Sequence, residues 1–306
     1  MQIAAYHRQL TQKLTDIGNP NAELDARLLI CHVLKLDFTN YILQQNDLIC
    51  AADLDRLATL SQLALSDMPI SRILQNREFW GLDFIVNAAV LDPRADSEVM
   101  IEVLLHFLPP SHQKLRILDL GTGTACLLLS LLTEYPNASG VGLDVSNQAL
   151  KVAQKNAENL GLSHRAEFIQ SDWFADIGKQ KFDIILSNPP YIPSQDIENL
   201  ANNVKLFDPL AALDGGQDGL DPYRIIAQQA PLYMNENALL IFEMGHNQAD
   251  GLFVILQQYG FDCAEFDMQK FTPKNPNGQI RPRDGLAYDL GQNPRVIIAK
   301  YRVKQN

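Results

Sequence analysis

The sequence is poor in basic residues and has no long uninterrupted apolar run. Only 25 Lys and Arg stand against 36 Asp and Glu, which gives a formal net charge of −11. A protein that grips nucleic acid by its phosphates needs a basic surface, so this balance argues against a stable nucleic acid partner. No apolar run approaches membrane-spanning length, and polar residues interrupt the start of the chain. We therefore expect a cytoplasmic protein with no membrane partner.

Cysteine is also scarce, and the four cysteines are widely scattered: Cys31, Cys50, Cys126 and Cys263. Their spacing is typical neither of a zinc site nor of a disulfide framework. This usage fits a reducing compartment. We therefore expect neither a disulfide nor a bound metal.

The length and the apolar pattern predict two domains of unequal size. The chain has 306 residues, 46% of them hydrophobic, enough for one large and one small domain. Apolar residues at helical spacing predict a small helical bundle over residues 1–75. The alternating residues 79–86, interrupted by Gly81, predict a β-hairpin within a linker of residues 76–92. Residues 93–306 form the large domain.

In the large domain, β-rich segments alternate with helical patterns. The predicted strands are residues 116–120, 140–145, 166–170, 182–187, 238–243, 261–266 and 295–301. Such alternation predicts a mainly parallel α/β sheet with right-handed crossovers, which binds ligands beyond the carboxyl ends of its strands. Ser97 or Asp96 is placed to cap the helix before the first of these strands. Residues 271–291, with Arg281 and Arg283, are predicted to form a loop that is solvated or contacts an acidic partner.

A glycine-rich segment, residues 119–125, follows the first of these strands directly. Its glycines, Gly121 and Gly123, let the backbone approach a ligand closely and turn into the next helix. Asp144 ends the following strand, about 20 residues further on, where a carboxylate accepts hydrogen bonds from ribose hydroxyls. The pattern suits a dinucleotide equally well, so it does not select the cofactor.

Two turns that follow later strands narrow the choice of cofactor. Asp172 and Trp173 place an acceptor and an aromatic ring where an adenine would lie, although a helix cap is the alternative role for Asp172. The second turn is Asn188-Pro189-Pro190-Tyr191. Two consecutive prolines cannot supply N–H groups to a sheet, so the chain must leave the sheet at Asn188 in a stiff, extended turn. Asn-Pro-Pro followed by an aromatic residue is typical of methyltransferases that act on planar nitrogens with S-adenosylmethionine as donor.

Over nearly the whole chain, the sequence resembles the glutamine N5-methyltransferases that modify class I peptide chain release factors. The resemblance rests on the glycine-rich segment, the Asn188 turn, the hairpin, and residues 69–74, 90–94 and 213–220. It implies a Rossmann-like class I methyltransferase fold with a seven-stranded, mostly parallel sheet. It also implies a monomeric enzyme that uses S-adenosylmethionine, releases S-adenosylhomocysteine, and methylates the glutamine of a Gly-Gly-Gln motif.

The resemblance also implies roles for individual residues. Those expected to bind the cofactor are Asp119, Gly121, Thr122, Gly123, Asp144, Asp172, Trp173 and Asn188. The expected catalytic residues are Asn188 and Pro189, whose side-chain and main-chain oxygens each accept one N–H of the substrate amide, and Tyr191, which packs on the substrate. Pro190, Arg94 and Phe79 complete the expected substrate site, with a plain core position as the alternative for Phe79. No metal is required.

Two departures and three alternatives remain open. Ala125 and Ala95 stand where family members usually carry glycine and proline, and we expect the Ala125 methyl to crowd the methionine part of the cofactor. The alternatives are a glutamine methyltransferase of a ribosomal protein, an adenine N6-methyltransferase of nucleic acid, and a non-catalytic cofactor-binding regulator. The acidic balance argues against the second, and Ala125 makes the third less remote.

Overall fold

The computed structural model describes residues 1–110, 113–272 and 283–302, which form two compact units. One unit comprises Met1–Asn76 and Ala201–Phe207, and the other comprises Arg77–Leu200 and the residues from Asp208 onward. Arg281 lies outside the described residues. Within the described ranges, no helix is both long enough and apolar enough to cross a membrane.

The elements are as follows in chain order. The α-helices are α1 (Ile3–Asp16), α2 (Ala22–Leu34), α3 (Phe38–Leu43), α4 (Ala51–Leu65), α5 (Ile70–Leu74), α6 (Glu98–Phe107), α7 (Cys126–Glu134), α8 (Asn147–Asn159), α9 (Asn202–Lys205), α10 (Asp221–Gln229) and α11 (Ala249–Gln258). The strands are β1 (Asn76–Phe79), β2 (Leu82–Ile85), β3 (Arg116–Leu120), β4 (Ser139–Asp144), β5 (Ala166–Gln170), β6 (Phe182–Ser187), β7 (Met234–Glu243), β8 (Phe261–Asp262), β9 (Leu286–Tyr288) and β10 (Pro294–Tyr301).

The first unit is a bundle of helices packed around α2. Leu29 and Ile30 of α2 are fully buried, as are Leu14 of α1 and Leu57 of α4. Burial of one apolar face on each helix, more than intrinsic propensity, stabilises helices of this length. The predicted N-terminal helical bundle is confirmed.

The hairpin expected after the bundle is formed by β1 and β2. Its two-residue turn, Trp80-Gly81, has φ values of 55° and 70°. Positive φ at both positions matches the right-handed twist of the flanking strands. The Trp80 side chain is anchored by a hydrogen bond from its Nε1 to Glu134 Oε1 at 2.7 Å.

The large sheet has the order β5-β4-β3-β6-β7-β10-β8, with β9 paired to β10. Strands β3 to β7 run parallel, and β10 runs antiparallel to β7. Alternate residues point to opposite faces, so that Ile117 and Leu118 are fully buried in different core clusters. The mostly parallel Rossmann-like class is thus confirmed, but the sheet has eight strands among the described residues and not the expected seven. Because the chain from β3 goes first to β4 and later returns to β6, the switch point lies at the end of β3.

The prediction that residues 271–291 form a loop is wrong in part. Leu286–Tyr288 forms the additional strand β9, which pairs with Ile297, Val296 and Pro294 of β10. Three residues beside a Pro- and Gly-rich stretch have no periodicity of their own, so this strand exists because β10 supplies its partner. The Arg283 guanidinium carbon lies 3.6 Å from the centre of the Phe253 ring, and Arg283 Nη1 forms an ion pair with Asp250 Oδ1 at 2.5 Å. Phe253 and Asp250 both belong to α11.

Candidate active site

A cavity of about 610 Å³ lies beyond the carboxyl ends of β3, β4 and β6. Its volume falls within the range of small-molecule and cofactor sites, roughly 300–1,000 Å³. Its wall includes ten of the residues expected from the sequence: Arg94, Asp119, Gly121, Thr122, Gly123, Asp144, Asp172, Trp173, Asn188 and Pro190. The fold therefore brings together side chains that are up to about a hundred positions apart in the chain.

The glycine-rich loop is fixed to the ends of two strands. Thr122 donates its hydroxyl to Asp119 Oδ2 at 2.6 Å and its backbone N–H to the Leu143 carbonyl at 2.8 Å. Gly123, with φ of 53°, donates its N–H to Asp144 Oδ2 at 3.0 Å. Asp144 therefore holds the loop while its carboxylate still borders the cavity.

Burial perturbs both carboxyl groups of this loop. Asp119 is 2% exposed, and its burial raises its pKa to about 7. Burial also raises the pKa of Asp144, although hydrogen bonds from the Ser146 and Gly123 N–H groups oppose the change. Asp144 is the more solvent-accessible of the two and is the carboxylate available to hydroxyl donors of a ligand.

Ala125 directly precedes α7 in the left-handed backbone region, with φ of 63°. Its side chain is fully buried and belongs to an apolar core cluster of the large unit. Its neighbours Thr124 and Cys126 line the cavity, but Ala125 is not among the described residues that do so. The structure places the Ala125 methyl in the core.

Asp172 and Trp173 border the other side of the cavity. Ser171 Oγ donates to the Trp173 carbonyl at 2.8 Å and accepts the Asp176 N–H at 3.0 Å, which fixes the turn. The residues that follow form turns and not a helix, so Asp172 does not cap one. Asp172 is exposed and Trp173 is half-buried, an arrangement that offers one acceptor and one ring face to a ligand.

The Asn188 turn leaves the sheet directly after β6. Gln248 Nε2 donates to the Tyr191 carbonyl at 2.9 Å. The Ile192 N–H donates to the Leu213 carbonyl at 3.0 Å, and the Gly215 N–H donates to the Ile192 carbonyl at 2.9 Å. The turn is therefore held by the segment of residues 213–220, a role that its sequence did not reveal.

Of the expected substrate residues, Asn188, Pro190 and Arg94 reach the cavity wall. Arg94 Nη2 pairs with Asp208 Oδ2 at 2.6 Å. Among the described residues, Pro189, Tyr191 and Phe79 are not part of the wall. Pro189 is buried and Tyr191 half-buried.

Phe79 lies in the core. It is 1% exposed, with its ring centroid 6.2 Å from that of Phe84 in an edge-to-face arrangement. The Phe79 side chain packs in the core with residues of the hairpin and the sheet, as the alternative interpretation of Phe79 predicted.

Sequence reasoning missed the hydrogen bonds that link Asn188 to Ser97 and Ser97 to Glu243. We expected Ser97 or Asp96 to cap α6, but a 3₁₀ turn (Ala95–Ser97) precedes that helix, and neither residue makes a side-chain capping bond to it in the described structure. The Ser97 hydroxyl instead donates to Glu243 Oε2 and accepts a hydrogen bond from Asn188 Nδ2 at 3.3 Å. A carboxylate at the end of the apolar strand β7 was the available signal, because charges are seldom buried without a partner.

Comparison with known proteins agrees with this architecture. Residues 95–206 match the family model of the methyltransferase small domain, and residues 6–74 match the PrmC N-terminal domain. A crystal structure of a methyltransferase from Pyrococcus furiosus has the same fold, with 14% identity and a TM-score of 0.50 over 81% of this chain and 99% of that chain. Fold and site together define a class I methyltransferase.

Relatives at higher identity specify the family. The chain is 41% identical to the release factor glutamine methyltransferase of Agrobacterium fabrum, over 83% of this chain and 89% of that protein. It is 44% identical to the release factor glutamine methyltransferase of Rhodospirillum rubrum, over 81% of this chain and 75% of that protein. The chain belongs to the release factor glutamine methyltransferase family.

Proposed function

We propose that this chain transfers a methyl group from S-adenosylmethionine to the side-chain amide nitrogen, N5, of the glutamine in the Gly-Gly-Gln motif of class I peptide chain release factors. The observation that carries the proposal is the Asn188 side chain, held on a proline-stiffened turn at the wall of the cavity. The names of the relatives supply the substrate class.

The cavity residues fit this cofactor. Asp144 offers a carboxylate acceptor for ribose hydroxyls, and Asp172 and Trp173 offer an acceptor and a ring for the adenine. At Gly121 and Gly123 a Cβ would meet nothing within 4 Å, so side chains there would project into free space that a ligand can occupy. When bound, S-adenosylmethionine supplies an electrophilic methyl group on a sulfonium.

The residues of the Asn188 turn would position the nucleophile. The lone pair of a glutamine amide is delocalised into its carbonyl, so the nitrogen needs its geometry fixed before it can attack. The Asn188 Oδ1, at the cavity wall, and the main-chain carbonyl of Pro189, whose side chain is buried behind that wall, would each accept one N–H of this amide. The same oxygens would stabilise the positive charge that develops on the nitrogen, at no cost of reorganisation because the turn is rigid.

We further propose that residues 1–75 recognise the folded release factor, residues 76–92 link them to the catalytic part, and residues 93–306 hold cofactor and chemistry. Exposed apolar side chains in and shortly after α3 support this: Phe38, Ile42, Leu43 and Leu48 are 59%, 49%, 75% and 77% exposed. Exposed large apolar side chains that occur together mark sites of protein interaction. A cytoplasmic location and a monomeric state stay predictions within this proposal.

Methyl transfer from labelled cofactor to purified partners tests the substrate. The intact release factor should be labelled, and the same factor with its Gly-Gly-Gln glutamine changed to alanine should not. Preferential labelling of DNA or of a ribosomal protein would refute the assignment.

A surface substitution tests the role of the helical unit. Leu43→Glu should lower kcat/KM for the intact factor but leave transfer to a short Gly-Gly-Gln peptide unchanged. Val254→Glu is the control, because Val254 is 65% exposed on α11 of the other unit. An equal effect of the two variants would remove the recognition role.

A further inference from the structure

Under the Asn188 turn, three polar side chains from distant parts of the chain form a continuous hydrogen-bonded row. Asn188 Nδ2 donates to Ser97 Oγ at 3.3 Å, and the Ser97 hydroxyl donates to Glu243 Oε2. The nearby Asn188 side chain also favours the ionised form of the Glu243 carboxylate and so lowers its pKa. Ser97 is 3% exposed and Glu243 is 1% exposed, so these hydrogen bonds replace those that both groups would make to water in the unfolded chain.

The direction of this row follows from its last member. An ionised carboxylate has no hydrogen to give, so it can only accept. The single hydroxyl hydrogen of Ser97 is then committed to Glu243, and the Ser97 oxygen can only accept from Asn188. That requires the amide nitrogen of Asn188, and not its oxygen, to face Ser97. The Asn188 Oδ1 is left for the cavity.

We propose that Glu243 and Ser97 are positioning residues that set the orientation of the Asn188 amide and so present its oxygen to the substrate. This inference rests on the proposed function, in which Asn188 Oδ1 accepts an N–H of the substrate glutamine. An Asn188 amide turned by 180° would present N–H donors to a substrate that also offers only N–H donors at that point. The reacting nitrogen would lose one of its two acceptors.

The charge on Glu243 therefore determines the orientation of the Asn188 amide. Both positively charged and acidic groups surround this carboxylate. The titratable and charged groups that interact with it are Arg295 on β10, Asp96 in the turn before α6, Tyr191 after β6, Tyr223 on α10 and Cys126 on α7. The positive charge of Arg295 stabilises the Glu243 carboxylate only in part, because Arg295 forms ion pairs with Asp289 at 2.8 Å and with Asp96 at 3.3 Å. Burial outweighs the favourable contacts and raises the pKa of Glu243 to about 7.

A pH dependence follows with a definite sign. Above the pKa of Glu243 the carboxylate is ionised and the row has the direction described. As the pH falls through about 7, the protonated carboxyl gains a hydrogen to donate, and Ser97 is freed to donate to Asn188. Methyl transfer at saturating cofactor should therefore fall on the acid side.

The test uses three variants of the full-length enzyme, assayed with labelled S-adenosylmethionine and an intact release factor. Glu243→Gln keeps the shape but places an N–H donor where the carboxylate only accepts. Ser97→Ala removes the link and leaves the charge. Ser130→Ala is the matched control, since Ser130 on α7 is also fully buried but its hydroxyl has no partner among the described residues. The measurements are kcat between pH 6 and pH 8.5, KM for the release factor, and cofactor affinity by calorimetry.

We expect Glu243→Gln and Ser97→Ala to lower kcat at least about tenfold at pH 8, as for a site that loses a preorganised group. Cofactor affinity should stay within threefold, Ser130→Ala should match the wild type, and the acid-side fall of the wild type should be absent in Glu243→Gln. A kcat within tenfold of wild type, a parallel loss of cofactor affinity, or an acid-side fall that persists in Glu243→Gln would overturn the inference.

If Glu243→Gln does not fold, Ser97→Ala and the wild-type pH profile decide the question by the same criteria. A wild-type enzyme with no transfer to the release factor at any pH would refute the proposed function. Wild-type transfer with an unaffected Glu243→Gln variant would refute only the role of Glu243.

Discussion

Replacing Gly215 by alanine should damage catalysis through the backbone of the Asn188 turn. A Cβ at Gly215 would lie 2.8 Å from the Pro190 carbonyl oxygen, 2.8 Å from Tyr191 Cα and 2.9 Å from Gly219 Cα. These are backbone atoms, and Pro189-Pro190 stiffens the turn to which two of them belong. No side-chain rotation can relieve the contacts, so the turn itself must move.

The size of the effect follows from the distances. Ordinary contact begins at 3.4 Å, so contacts of 2.8 Å require a shift of about 0.6 Å. A misplacement of about 1 Å at a reacting centre costs about 10²-fold in rate, so we expect kcat to fall by roughly ten- to a hundredfold. Overpacking should also lower the free energy of unfolding by about 1–3 kcal/mol. Cofactor affinity should change little, because Asp144 and the glycine-rich loop remain in place.

The assay compares kcat for an intact release factor, cofactor affinity by calorimetry and urea unfolding. Gly251→Ala is the control: its Cβ would meet only the end of the Leu220 side chain, and alanine is preferred over glycine within a helix such as α11 by about 0.5–1 kcal/mol. A folded Gly215→Ala enzyme with kcat within twofold of wild type would refute the claim that this segment positions the turn.

Three further substitutions test other parts of the site. Asp144→Asn should weaken cofactor binding by roughly 1.5–3 kcal/mol, since a charge-assisted hydrogen bond is lost; calorimetry that gives the wild-type affinity would contradict the role of Asp144. Asn156→Ala should lower the free energy of unfolding by about 2–4 kcal/mol in urea, because the buried Asn156 side chain bonds Ile85 N–H, Ile85 carbonyl and Thr124 carbonyl at 2.7, 3.2 and 3.0 Å. A loss below 1 kcal/mol would show that water replaces it. Ser130→Ala should leave the free energy of unfolding unchanged or raise it by about 1 kcal/mol, as a buried hydroxyl without a partner is removed; a clear loss would reveal a partner.

The parts of the fold that the sequence predicts well are those that local residues impose. The glycine-rich loop can be predicted because Gly123 adopts a positive φ that favours glycine. The Asn188 turn can be predicted because two consecutive prolines force the chain to leave the sheet after β6. The strands Arg116–Leu120, Ala166–Gln170 and Phe182–Ser187 have the predicted bounds because each is a short, mainly apolar segment between turn signals.

What the sequence hides depends on partners far along the chain. Ser97 has the residue type of a helix cap, but Glu243, 146 positions away, takes its hydroxyl. No local pattern distinguishes these two uses of a serine. The strand β9 likewise exists through its pairing with β10, and Gly215 is required by the close approach of Pro190 and Tyr191.

The measurement that tests the central claim most directly is the identification of the methylated atom by mass spectrometry, with wild-type and Asn188→Ala enzymes and an intact release factor. We predict one methyl group on the glutamine of Gly-Gly-Gln with the wild type. The Asn188→Ala enzyme should keep nearly all of its cofactor affinity, because the other seven residues expected to bind the cofactor are unchanged. It should transfer at a rate lower by about 10²–10³-fold, the scale of losing one preorganised group in the transition state. Methylation at another residue, or an unchanged rate with Asn188→Ala, would contradict the account.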